Sequence, residues 1–181
     1  MTTHLLSFDI GLRNMAYCYA SVSNNTIDLI KLNKIDLNLK KNANSQLIIE
    51  TTIDFLDNLM DSEVHTNFSN LIVLIECQMT SIMKCIQTTI NTYFKMIAKF
   101  HSAIIQTIYL SPKHKLNLIQ NHLPNCDYKK NKQEAIELTN LLLHNKYFNQ
   151  SFIDIFNSFK KKDDISDAFL MVIYYFEFKL I

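Results

Sequence analysis

Five consecutive apolar residues, Leu71-Ile72-Val73-Leu74-Ile75, end abruptly on Glu76. A run of that length without polar alternation reads as a strand buried on both faces of a sheet, so it calls for helices on either side and an α/β chain. An ionised acid at the end of such a strand is costly unless it is paired or bound to a cation. The opening segment repeats the pattern, with Leu5-Leu6-Ser7-Phe8 running straight into Asp9. Two central strands ending on the same side would bring both carboxylates to one edge of the sheet.

Residues 5–10 form the first expected strand, 11–14 a turn, 15–23 a second strand, and Asn24-Asn25 a turn before a third strand at 26–32. Connections this short leave no room for a crossover helix, so the three strands form an antiparallel meander. Apolar spacing predicts helices over 46–60, 80–101 and 132–143, a short helix or turn-rich piece over 152–159, and a closing amphipathic helix over 164–180. The run at 71–75 and a strand at 103–110, halted by Pro112, supply two further strands. With 181 residues the chain is read as one domain, 1–181. The expected architecture is a five-stranded mixed sheet, three strands antiparallel and two parallel, flanked by helices. That order fits an RNase H-like fold, although a ferredoxin-like layout could generate a similar string.

Asp164 and Asp167 are spaced i, i+3 and share a face at the start of the last helix. Alone they could simply favour the helix dipole, at about 0.3–1 kcal/mol each. Together with Asp9 and Glu76 they pose a charge problem, because unit charges ~4 Å apart repel by ~4 kcal/mol at an effective dielectric of about 20. Oxygen-only ligands suit Mg²⁺ or Mn²⁺, and two ions about 3.5–4 Å apart would serve phosphodiester hydrolysis. Gly11, the only glycine in the chain, sits two residues beyond Asp9. It is read as permitting a positive-φ turn and a close approach of backbone to phosphate; an ordinary hairpin glycine is the plainer alternative.

The net charge of +1 does not advertise nucleic-acid binding, so a DNA partner depends on where the lysines lie. Lys113, Lys115, Lys129, Lys130 and Lys132 are opposed only by Asp127, and Lys160-Lys161-Lys162 precedes the acidic pair. These could track phosphates or be solvated surface lysines. The four cysteines form no C-x-x-C pair, which points to reduced, structural thiols. No apolar run reaches the ~20 residues needed to span a bilayer, and no basic leader precedes the first strand. A soluble intracellular protein is expected.

At these residues the sequence resembles the RuvC-type Holliday junction resolvases, in the branch of poxviruses, related large DNA viruses and fungal mitochondria. Phe8-Asp9-Ile10-Gly11-Leu12-Arg13-Asn14 resembles that branch's F-D-I-G-x-[KR]-N block, and Ile75-Glu76-Cys77-Gln78 its [IL]-E-x-Q block. Lys162-Asp163-Asp164-Ile165-Ser166-Asp167-Ala168-Phe169 resembles the closing signature, in which the second and third acids are ligands, so the resemblance selects Asp164 over Asp163. Tyr128-Lys129-Lys130-Asn131-Lys132 resembles a segment that supplies a lysine near the scissile phosphate. Spacing from the tyrosine gives that role to Lys132, with Lys113 and Lys115 as rivals.

The resemblance implies metal ligation by Asp9, Glu76, Asp164 and Asp167, and their oxygen-only chemistry suits two Mg²⁺ or Mn²⁺ ions per subunit rather than zinc. It further implies a homodimer that nicks four-way junctions symmetrically, in recombination or in processing viral genome concatemers, and a host-cytoplasmic site if the chain is viral. A ribonuclease, a general branched-DNA nuclease and a non-cutting junction-binding protein are the competing readings. Gly11, Arg13, Asn14, Gln78, Lys113, Lys115, Lys129 and Lys130 are candidate DNA contacts. Gln78 would share a face with Glu76 if the strand continued. Along the long helix, Ile82, Ile86, Ile90, Tyr93, Ile97 and Phe100 form one stripe, and Met83, Phe94 and Met96 spread apolar surface beyond it. The excess is either dimer contact or deep burial.

Overall fold

The computed structural model describes residues 2–64, 68–100, 103–123, 131–144 and 148–180. Five strands form one sheet: β1 (Thr3–Asp9), β2 (Met15–Ser23), β3 (Thr26–Ile35), β4 (Asn70–Glu76) and β5 (Ile104–Leu110). Their spatial order is β3-β2-β1-β4-β5. The first three pair antiparallel, and β1–β4 and β4–β5 pair parallel, as the connection lengths require. Asn24 and Asn25, at φ 51° and 59°, supply the left-handed pair that a two-residue hairpin needs between β2 and β3. A register shift at Tyr19/Ala20 marks a bulge in the outer pair.

Both faces of the sheet are covered. On one side lie α1 (Ser45–Leu59), which continues through a π-helical turn at Met60–Val64, and α2 (Ser81–Phe100). Asn44 caps α1, its side chain accepting from the Leu47 amide at 2.8 Å. On the other side lie α3 (His114–His122), α4 (Asn131–His144), α5 (Gln150–Ser158) and α6 (Asp163–Tyr175), the last ending in a π-helical turn at Phe176–Leu180. The run 71–75 divides by the two-residue period: Leu71, Val73 and Ile75 join the α1–α2 core, whereas Ile72 and Leu74 join the core under α6. That division is why the run shows no polar alternation.

Helix α6 is the most deeply buried helix, with Ile165 through Ile173 buried except Asp167. The Ser7 hydroxyl donates to the Ala168 carbonyl at 2.6 Å, fastening α6 across β1. A polar group buried in a central strand is tolerated only with such a partner. On α2, Ile86, Ile90 and Phe94 enter the core, while Phe100 is 78% exposed and Met96 45%. The long helix therefore combines a core-facing stripe with a solvent-facing apolar end.

Candidate active site

Asp9 and Glu76 end β1 and β4. One step beyond the Phe8–Ile75 pairing they stand level on adjacent parallel strands. Each follows the two-residue period of the residues packed under α6, Leu5 and Ser7 for Asp9, Ile72 and Leu74 for Glu76, so both carboxylates aim at that helix. Asp164 and Asp167 come down from its first turns. The four acids thus meet at one edge of the sheet.

Their mutual field is visible in Asp9. Burial, then the charges of Asp167, Glu76 and Asp164, hold its carboxyl well above the usual range, and Lys115 only partly offsets them. Asp163, the rival of Asp164, faces elsewhere. Its carboxylate takes Lys132 Nζ at 2.8 Å and Lys161 Nζ at 3.4 Å. Burial pushes Asp163 up, but these two lysines together hold it below the ordinary value.

The lysine inside the cluster is Lys115. Its ammonium lies 2.6 Å from Asp167 Oδ2 and 3.5 Å from Glu76 Oε1. Burial opposes its charge, yet Asp167, Glu76 and Asp9 together outweigh that and raise its pKa. Asp167 is itself shifted up, because burial and the charges of Glu76 and Asp163 exceed the help from Lys115. Lys132, expected beside the scissile phosphate, stands on the first turn of α4 with 81% of its side chain exposed and Asp163 as partner. It does line the rim of a cavity of about 250 Å³ that includes Lys113, Lys115 and Asp167.

Lys115 rides on α3, a helix absent from the sequence expectations. A start signal was present in Ser111-Pro112. Ser111 Oγ accepts from the Lys113 amide at 3.4 Å and its carbonyl accepts from the His114 amide at 3.0 Å, a hydrogen-bonded turn that leads into α3, whose cap residue Lys113 makes no side-chain capping bond. The lysines and the asparagine-rich run that follow obscured the apolar spacing of Leu118 and Ile119.

Two other expectations change. Gly11 has no positive φ; a Cβ there would lie 2.7 Å from the Asn14 carbonyl oxygen. Its use is to let the turn close on itself beside Asp9. Strand β4 stops at Glu76, so Gln78 does not continue the strand face, and its amide donates instead to Gln87 Oε1 on α2 at 2.8 Å. Arg13 is exposed and Asn14 half-buried on the turn after β1. Lys129 and Lys130 lie outside the described residues.

Among the described residues no three carboxylate, histidine or cysteine side chains surround one point tightly enough to hold an ion without rearrangement. The donor set nevertheless suits a hard divalent cation: it is all oxygen, crowded with like charge, and offset for now by ammonium groups from Lys115 and from Lys161, 2.8 Å from both Asp164 oxygens. Cys18, Cys77 and Cys85 are free thiols. Among the described residues no helix is long and apolar enough to cross a membrane.

Mixed sheet, strand order and flanking helices define an RNase H-like domain, the fold of Thermus thermophilus RuvC, which superposes with a TM-score of 0.55 at 12% identity over 96% of this chain and 95% of that one. The chain belongs to the Poxvirus A22 protein family, whose profile matches residues 4–179. The yeast mitochondrial Holliday junction resolvase Ydc2 superposes with a TM-score of 0.74 at 14% identity, covering 96% of this chain and 78% of that one. For the fowlpox virus Holliday junction resolvase the TM-score is 0.61 at 21% identity, over 99% of this chain and 100% of that one. At these identities the likeness is one of fold. An Acanthamoeba polyphaga mimivirus protein, L451, is 35% identical over 109 residues, 53% of this chain but only 26% of that protein. The chain therefore spans about a quarter of that relative's length.

Proposed function

We propose that the chain is a structure-selective endonuclease that resolves four-way DNA junctions by divalent-metal-dependent phosphodiester hydrolysis. The observation that carries this reading is the meeting of Asp9, Glu76, Asp164 and Asp167 at one sheet edge with Lys115 among them. Membership of the poxvirus family and the shared fold of two junction resolvases support it.

Two Mg²⁺ or Mn²⁺ ions bound by these acids would supply charge neutralisation and water activation for the attack on phosphorus. Asp9 and Glu76, on strand ends, form the rigid half of the ligand set, and Asp164 and Asp167 the half delivered by α6. Lys115 contacts Asp167 and Glu76 directly, and a lysine ammonium is charged at neutral pH. It therefore serves as a fixed cation and hydrogen-bond donor toward the developing phosphate charge, and not as a base. Lys113 and Lys132, on the rim of the same cavity, and Arg13 on the turn after β1 would hold the DNA backbone. A homodimer would place two such sites on one junction.

Incubation with a labelled four-way junction, a linear duplex and an RNA–DNA hybrid in Mg²⁺ tests the proposal. Paired symmetric nicks in the junction are expected. Preferential cutting of the hybrid would make the chain a ribonuclease, and tight junction binding without cutting in either Mg²⁺ or Mn²⁺ would make it a binding protein.

A further inference from the structure

Lys34 lies on β3, two strands away from Asp9. Backbone register places it in the row of the acids: Lys34 pairs with Ala16, Ala16 pairs with Asp9, and Asp9 stands level with Glu76. Directly opposed residues share a sheet face. Lys34, Ala16, Asp9 and Glu76 therefore all face α6, and the small Ala16 leaves space over which the lysine can reach.

The side chain of Lys34 is only 14% exposed. Most of its stem is covered, and all of the partners of its ammonium lie in one short segment. Nζ donates to the Lys161 carbonyl at 2.9 Å, stands 3.8 Å from Asp164 Oδ2, and lies 5.7 Å from the centroid of the Phe159 ring. Residues 159–164 join α5 to the first turn of α6, where Asp164 sits. Lys161 grips both Asp164 oxygens at 2.8 Å but belongs to the segment itself and cannot anchor it to the sheet, and the other lysines nearby offer no such anchor either. Lys162 reaches only its neighbours Asn157 and Phe156, and Lys132, which comes from α4, is 81% exposed, where a single ion pair is weak.

We infer that Lys34 is a positioning residue for Asp164: its ammonium ties the 159–164 segment to the outer antiparallel strand, so that Asp164 arrives in register with Asp9. The inference rests on the reading of Asp164 as a ligand in a nuclease. Loss of the Lys34 charge would by itself favour cation binding, so its positioning role is best read at saturating Mg²⁺, where affinity for the ion no longer limits the rate.

The test compares wild type with Lys34→Met, which keeps the aliphatic stem, and Lys34→Arg, which keeps a charged donor. In the metal-free protein, backbone order parameters of residues 160–164 should fall in Lys34→Met from the rigid range near about 0.85 toward the flexible range below about 0.6, while those of β1 and β4 hold. At saturating Mg²⁺ and junction, kcat should fall about tenfold, within the ~10²-fold that a misplacement of about 1 Å can cost. Junction affinity should be unchanged, and Lys34→Arg should recover most of both effects. An unmoved segment overturns the inference, whether or not junction affinity drops, and so does a loosened segment with full kcat. If wild type cuts no junction, the nuclease reading fails, and the relaxation measurement alone decides whether the tether exists.

Discussion

Asp9 is buried among three like charges, with one lysine to offset them. Without bound cations that arrangement strains the fold, so Asp9→Asn should raise the melting temperature of the metal-free protein. Each ~1 kcal/mol relieved corresponds to about 2–4 °C for a chain of this size, measurable by differential scanning calorimetry. The same substitution, like Glu76→Gln, Asp164→Asn and Asp167→Asn, should abolish junction cutting and leave junction binding largely intact in a gel-shift assay; turnover retained by any two of them would sink the four-ligand site. Lys115→Ala should lower single-turnover cutting by about 10²–10³, the usual cost of removing one fixed donor from a developing charge. Lys132→Ala, which removes an exposed group paired with Asp163, should cost less than Lys115→Ala in the same assay. The acids were legible from sequence because each interrupts or adjoins an apolar segment where a charge is conspicuous. No such contrast marks Lys115 among the lysines around it, and only its place on α3 separates it from Lys113 and Lys132.

Helix α3 is held by a buried histidine. His114 Nδ1 lies 2.8 Å from the Ser111 carbonyl, which can only accept, so Nδ1 carries the proton. Nε2 is buried without a hydrogen-bond partner, and the ring packs against Tyr174 of α6. Burial, over the opposing pull of the Ser111 carbonyl, lowers the pKa to about 4. In the unfolded chain the imidazole titrates near its ordinary value of about 6.5. The unfolded state therefore takes up a proton before the folded state does, and stability present above pH ~6.5 is lost as pH falls toward about 4. Urea melts across that window should show a loss on the order of 2–3 kcal/mol from this group, and the slope should flatten in His114→Gln. The turn after β1 offers a second element-scale prediction. Gly11→Ala forces a Cβ against the Asn14 carbonyl, which should destabilise the chain by roughly 1–3 kcal/mol and slow cutting by moving Asp9. A lone glycine beside an acid showed that the turn was special, but its reason, close backbone approach without positive φ, depended on coordinates.

At the scale of the molecule, the apolar surface left uncovered is concentrated on the side away from α6. A groove of about 570 Å³ between α1 and α2 is lined by Ile49, Ile53, Cys85, Tyr93 and Met96. Nearby, Phe100 is 78% and Ile104 63% exposed, the latter on the edge strand β5. Patches of this kind mark interaction surfaces, and a homodimer joined here would leave both carboxylate clusters free. Met96→Glu should then shift the sedimenting species from dimer to monomer and reduce paired nicking to single nicks, whereas a wild-type chain that sediments as a monomer yet cuts symmetrically would remove the dimer from the account. The antiparallel meander, the parallel pair and the covered sheet were all readable from connection lengths and the two-residue period, because those patterns act locally along the chain. The short α3 was not, since its two apolar anchors, Leu118 and Ile119, are too few to show a helical spacing among the polar residues around them.

From the sequence came the α/β layout and the nomination of Asp9 and Glu76 as costly charges at strand ends, while the choice of Asp164 over Asp163 came from the family resemblance. Burial periodicity and the cost of a charge in an apolar strand are properties of neighbouring residues, and they can be read in order. Only the tertiary structure could say which cations answer those charges. Lys115 is 39 residues from Glu76 and 52 from Asp167, and Lys34 is 127 from the Lys161 carbonyl it holds. Partners so far apart in sequence meet because the sheet aligns strand ends in one row and α6 packs across them, and no local pattern in the chain records that meeting.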